Sequence, residues 1–325
     1  MDSFIYSINA TIPVFIVMVL GMFLKKTGML TDEFIDSGNK FNFKVTLPCL
    51  LLRDMANTDF NIGKDLYFII LCAAVTFVSI IGVWFLARIF IKNKSLVGAF
   101  TQVSYRSSAA VMGVAFMQNI YGASKTAPLM ILGAVPIYNI MAVIILTVEG
   151  NKDSEGRLID GNSDFKFKDI VLRSLINIAK NPILLSILAG SLISVSGIHF
   201  PHILTKAVSS VANMATPLAV VILGASFSLN ATLENIKPVI WAVTTKLVIL
   251  TIIFLPIAVF LGYRNEELVT FVIMLSSPAT PSCYIMAKNM GNNGELTASV
   301  VVLTTLISSV TLTFFIYLVR VLGLV

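Results

Sequence analysis

The sequence predicts an all-α, polytopic membrane protein with ten transmembrane helices. Three observations carry that reading: an extreme hydropathy, an internal match at long range, and two polar interruptions within apolar runs. Hydrophobic residues make up 57% of the 325 and charged residues 12%, with a mean hydropathy of +0.90. Soluble domains do not tolerate that balance. The formal charge of +6 is spread between apolar stretches, so it reads as membrane orientation and not as a nucleic-acid-binding face.

A hydrocarbon core of about 30 Å requires about 20 mainly apolar residues per helix. The chain supplies ten such stretches, at 4–24, 34–55, 66–90, 96–120, 127–148, 177–196, 203–228, 238–262, 268–290 and 296–324. The opening MDSFIYS has neither a basic region nor a small-residue cleavage site, so the first stretch is read as a retained span. Most Lys and Arg, including Lys25, Lys26, Arg88, Lys92, Lys94 and Lys152, fall on one side when the spans alternate, which places both termini outside. The long polar stretch from Glu149 to Asp169 then lies inside the cell as a linker. The predicted organisation is therefore 1–148 as a first five-helix repeat, 149–176 as the linker and 177–325 as a second repeat.

An ungapped offset of 169 residues supports the duplication. It carries Pro13, Gly21 and Gly28 onto Pro182, Gly190 and Gly197, and Pro48 onto Pro217. Asn61 maps onto Asn230 and Gly122 onto Gly291 at the same shift. Because five is odd, the second copy enters the membrane from the opposite side, giving inverted-topology repeats of the kind secondary transporters use.

The ninth stretch contains SSPATPS, with Pro278 and Pro281 flanked by Ser276, Ser277, Thr280 and Ser282. The offset equates Ser276 and Ser277 with Ser107 and Ser108 of the fourth stretch, and Pro278 with Ala109. An interrupted helix in lipid leaves amides and carbonyls unpaired at several kcal/mol each, so helices 4 and 9 are expected to be broken and interior. Pro278, lacking an N–H, suits the first turn of the second half-helix. Half-helix N-termini at such a break can hold an anion near the bilayer midplane.

The charged residues agree with an anionic cargo. All 17 Asp and Glu lie in loops or at span ends, whereas Arg106 and Lys246 are embedded. An embedded ion is a functional candidate by default. Arg106 can pair bidentately with a carboxylate; Lys246 is read as a structural group that satisfies helix ends at the crossing. Asn139 in the fifth span, and Asn42 in line with Thr46 and Cys49 in the second, are candidates for lining the cavity. The candidate substrate site is thus Arg106, Ser107, Ser108, Ser277, Pro278, Thr280, Ser282, Asn139 and Asn42.

Other chemistry is poorly supported. His199 and His202 are spaced H-x-x-H without acidic or thiol neighbours, so no metal site is expected. Cys49, Cys72 and Cys283 all sit in apolar segments, where a thiol behaves as a small hydrophobe. No catalytic triad, phosphate loop or nucleic-acid module is present, and no enzyme activity or cofactor is expected.

Together, FKVTLPCLLL (43–52), RSSAAVMGVAF (106–116), VPIYNIMAVIIL (135–146), NPILLSILAG (181–190), ATPLAVVILGASF (215–227) and SSPATPSCYIMAKNMG (276–291) make the chain resemble the auxin efflux carrier family, which includes plant auxin exporters and bacterial malate or malonate permeases. The resemblance covers nearly the whole chain. It implies ten spans in inverted repeats, crossed helices 4 and 9, a homodimer built on the first spans of each repeat, and elevator-type alternating access for an organic anion. The family usually has Asn where Ser108 stands and often Pro where Ala115 stands, so cargo identity is open.

The expected function is a secondary transporter of a small carboxylate in the cytoplasmic membrane, a malate, malonate or auxin-like acid. The alternatives are a sodium-coupled organic anion symporter of the bile-acid type and a membrane sensor that binds without transporting.

Overall fold

The computed structural model describes residues 13, 16–57, 66–109, 117, 120, 121, 124, 126–150, 152–155, 182–196, 201–227 and 229–325. Among them the secondary structure is helical, without a strand. The second half of the expected fourth span and most of the expected linker lie outside the described residues.

Helix α1 occupies residues 16–26. It is followed by α2 (Asp32–Phe41), which runs through a π-turn at Asn42–Thr46 into α3 (Leu47–Ala56). The start of α2 is fixed by Thr31, whose hydroxyl accepts the Phe34 N–H at 3.2 Å, with Asp32 and Glu33 in the first turn opposing the helix dipole. The π-turn ends two residues before Pro48, whose ring would meet the carbonyl of Lys44, four residues back, in a regular helix.

α4 (Leu66–Phe90), α5 (Val97–Tyr105) and α6 (Thr126–Glu149) follow. After them come α7 (Pro182–Ser196), α8 (His202–Asn213), α9 (Ala215–Ser226) and the short α10 (Leu229–Glu234). α11 (Ile236–Thr244) passes through a π-turn at Thr245–Ile249 into α12 (Leu250–Phe260). The chain closes with α13 (Asn265–Ser276), α14 (Ser282–Asn289) and α15 (Gly294–Val321), the last started by Asn293 accepting the Leu296 N–H at 2.7 Å.

Among the described residues, five helical stretches are long and apolar enough to cross a membrane: Leu66–Phe90, Thr126–Glu149, His202–Ser226, Ile236–Phe260 and Gly294–Val321. Their outer faces carry Tyr67, Phe85, Trp241 and Phe260, all well exposed, as lipid-facing surfaces require. By contrast, every residue of α5 and every residue from Leu268 to Ser276 of α13 is buried. Helices without an exposed face belong inside a bundle.

Close crossings are made by small residues, as expected where lipid removes the hydrophobic drive between helices. A Cβ on Gly21 of α1 would lie 2.2 Å from the Val221 carbonyl oxygen and 3.1 Å from the Ala225 nitrogen on α9. A Cβ on Gly190 of α7 would lie 2.7 Å from the Leu52 carbonyl oxygen and 3.2 Å from the Ala56 nitrogen on α3. Only glycine fits either place.

One end of the bundle is tied by Glu149 at the end of α6. Its buried carboxylate accepts from Trp84 Nε1 (2.8 Å), Arg88 Nε (2.6 Å) and Lys152 Nζ (2.7 Å), while the Arg88 guanidinium stacks over the Trp84 ring at 4.8 Å. Two cations on one acid, with an indole N–H besides, satisfy a charge that would otherwise be costly to bury.

Candidate functional site

The interruption between α13 and α14 follows from its prolines. Ser277 precedes Pro278, whose ring disfavours helical backbone in the residue before it, and Ser277 adopts φ −63°, ψ 149°. The last helical bond runs from Ser277 N–H to the Ile273 carbonyl at 3.0 Å. Pro278 has no N–H for the Met274 carbonyl, and the Ala279 N–H turns to Thr304 Oγ1 at 3.2 Å. The Leu275 carbonyl, thereby released, accepts from Lys246 Nζ at 2.5 Å. The half-helix α14 restarts at Ser282 with Pro281 immediately before it. The expectation that Pro278 opens this half-helix is therefore corrected: the extended backbone imposed at Ser277 delays the restart until Pro281.

Facing this break, α5 ends at Tyr105 and the backbone is non-helical through Arg106–Ser108. The two interruptions touch: the Ser108 N–H donates to the Pro278 carbonyl at 2.8 Å.

Beside this contact lies a cavity of about 90 Å³. Its polar wall is formed by Arg106, Ser107 and Ser108 from one interruption, Thr280 and Ser282 from the other, and Asn139 of α6. Leu47, Leu51 and Asp54 of α3 close one side, and Ile183, Ala215 and Ala219 another. The first turn of α14 thus opens on the cavity and turns its positive dipole end toward it.

Arg106 is only 6% exposed. One terminal nitrogen donates to Asn139 Oδ1 at 2.5 Å and the other to the Met286 sulfur at 3.0 Å. Asn139 is itself oriented by donating to the Val135 carbonyl at 2.9 Å. Both partners of the guanidinium are uncharged. No carboxylate pairs with it among the described residues, and a guanidinium has donors to spare. The buried Ser107 hydroxyl has no hydrogen-bond partner among the described residues. Buried polar groups are nearly always satisfied, so an orphan on a cavity wall is a place for a ligand atom. An arginine with only uncharged partners, the orphaned Ser107 hydroxyl and the first turn of a helix thus meet around one small space, with the Asp54 carboxylate also on its wall.

Six of the nine sequence candidates are gathered on this wall: Arg106, Ser107, Ser108, Asn139, Thr280 and Ser282. Asn42, Ser277 and Pro278 are not among its lining residues. Asn42 sits in the π-turn, donates to the Ala215 carbonyl at 3.0 Å and accepts from Thr46 Oγ1 at 2.7 Å, joining helices. Ser277 bonds back to the Ile273 carbonyl at 2.7 Å, and Pro278 contributes its carbonyl to Ser108. Of the H-x-x-H pair, His199 lies outside the described residues and His202 is exposed.

Asp54 was missed as a wall residue. It is ion-paired with Arg53 at 3.0 Å, which also donates to Asn213 at 2.7 Å. The spacing of Leu47, Leu51 and Asp54, four and then three residues apart, marks one helical face and was the available signal.

A helix broken between α13 and α14, whose gap meets the end of α5 at a polar cavity inside a body with several lipid-facing spans, marks a multi-pass membrane protein. A family model described as membrane transport protein matches residues 6–316. The chain belongs to this family, the auxin efflux carrier and malate–malonate permease-like group, which is a transporter family and not an enzyme family. No curated protein matches the chain.

Proposed function

We propose that this protein is a secondary transporter that carries a small organic carboxylate across the cytoplasmic membrane. The observation that carries this reading is Arg106: a buried cation on a cavity wall whose partners are an amide and a thioether. Isolated ions inside a membrane protein cost several kcal/mol, and an anionic cargo would offset that cost when bound. The carboxylate would take the open donors of Arg106, with Ser107, Ser108 and Ser282 and the first turn of α14 completing its shell. An engineered apolar cavity of about 150 Å³ holds benzene. A space of about 90 Å³ suits a short aliphatic acid of the malate or malonate kind better than a bicyclic, auxin-like one.

The membrane arrangement belongs to the same proposal: ten spans, both termini outside, with repeats at 1–148 and 177–325 joined by the linker 149–176. Support for inverted repeats comes from the glycine crossings. Applying the 169-residue shift to the contact of Gly21 with Val221 and Ala225, forward for the first and backward for the others, gives that of Gly190 with Leu52 and Ala56. Contacts that exchange in this way are what a two-fold relation between copies produces. The first spans of each repeat would then form a static homodimeric scaffold, and the spans bearing the interruptions would move as an elevator.

Purified protein in liposomes, offered labelled mono- and dicarboxylates, tests the reading. Saturable uptake of at least one acid is expected; absence of uptake for the whole panel under every imposed ion gradient contradicts it.

A further inference from the structure

We propose that Lys246 is a built-in cation at the second interruption, taking the place that a sodium ion would otherwise fill, so that the carrier works without sodium. The transport part of this inference rests on the function proposed above; the cation part does not.

Lys246 is fully buried within the π-turn joining α11 and α12. Its ammonium donates to the carbonyl of Leu275, one of the groups stranded where α13 stops. The neighbouring Met274 carbonyl has also lost its helical donor, because Pro278 has none to give. Carbonyl oxygens released by a broken membrane helix are the usual ligands of a coupling cation. Here a tethered ammonium already sits on one of them.

Among the described residues, no acid forms an ion pair with Lys246. The π-turn packs against α5, α11, α12, α13 and α15. The acids on α13 and α15, Glu266, Glu267 and Glu295, lie in first turns, away from the interruption, and Lys237 lies at the start of α11. Arg106 and Lys246 thus supply a basic side chain to each interruption, and the Lys246 N–H donor already occupies a carbonyl oxygen that a mobile cation would need.

Thermal unfolding of the purified wild type, Lys246→Arg and Lys246→Ala, each in sodium chloride and in choline chloride at equal ionic strength, tests the cation part without any cargo. A cation that binds only the folded state raises the melting temperature. Expected are wild-type and Lys246→Arg proteins that melt at the same temperature in both salts, and a Lys246→Ala protein that melts lower in choline and recovers part of the loss in sodium. Sodium-specific stabilisation of the wild type overturns the proposal, as does a Lys246→Ala protein indifferent to the choice of salt. If that variant does not fold, the wild-type comparison still decides.

In liposomes, wild-type carboxylate uptake should agree within about twofold between the two salts, since no bound ion enters the cycle; uptake that requires sodium overturns the proposal. Absence of uptake in both salts would count against the transport function and leave the melting result to judge Lys246.

Discussion

The Ser108 amide donates to the Pro278 carbonyl at 2.8 Å, and this one bond joins the two interruptions. The two residues are 170 positions apart in sequence, yet each supplies a backbone group that its own helix cannot use. The cavity is formed beside that junction, with Arg106 held two residues before it and Ser282 four residues beyond it.

Replacing Ser108 separates its backbone from its side chain. Ser108→Ala keeps the amide donor and is expected to melt within about 0.5 kcal/mol of the wild type, as a substitution touching no structural bond does. Ser108→Pro removes the donor and leaves the Pro278 carbonyl unsatisfied, at a cost of about 1–3 kcal/mol. Chemical or thermal unfolding in detergent distinguishes the two. Equal stability of both variants would mean the bond does not hold the crossing.

The Ser107 hydroxyl has no partner among the described residues. Ser107→Ala should therefore leave stability unchanged or slightly raised, while weakening carboxylate binding by about 0.5–1.5 kcal/mol, the worth of a typical hydrogen bond. Calorimetric titration of a transported acid measures this. A destabilised variant with unchanged affinity would assign Ser107 to the fold.

At the helix crossings, Gly21→Ala and Gly190→Ala both drive a methyl into backbone atoms, which cannot give way as a flexible side chain can. Each should cost about 1–3 kcal/mol. Gly82→Ala in α4 meets nothing within 4 Å and should be neutral or stabilising, since glycine in a helix interior is about 0.5–1 kcal/mol worse than alanine. Melting temperatures of the three variants, read side by side, give the ranking.

Glu149→Gln retains an acceptor for Trp84 but leaves Arg88 and Lys152 without their shared carboxylate. Arg88 is half exposed and can turn to water, so the loss should fall below the about 3–5 kcal/mol typical of a fully buried pair. Added salt should narrow the gap to the wild type by screening the exposed arginine. A melting curve at low and high ionic strength checks both statements.

Much of this was legible in the sequence where a residue type permits few conformations. Pro278 and Pro281 announced the second interruption, and paired glycines at a fixed offset marked positions where backbones touch. The first interruption was harder to see, because Arg106–Ser108 contains no proline and was found only through its match to the second. Side-chain destinations were less legible still. Asn42 was expected at the cavity, but the π-turn that accommodates Pro48 carries it to the Ala215 carbonyl. Nothing in the local sequence around Lys246 names Leu275 as its partner; that pairing depends on how α12 and α13 pack. Asp54 fell on the cavity wall by its register with Leu47 and Leu51, a pattern readable once the face is known.

Equilibrium binding of a transported carboxylate to purified wild type and to Arg106→Gln is the most direct test. A charged hydrogen-bond partner is worth about 1.5–3 kcal/mol, so the glutamine variant should bind at least about tenfold more weakly while unfolding at a similar temperature. Equal affinity in the two proteins would contradict the assignment of Arg106 as the cation that receives the cargo.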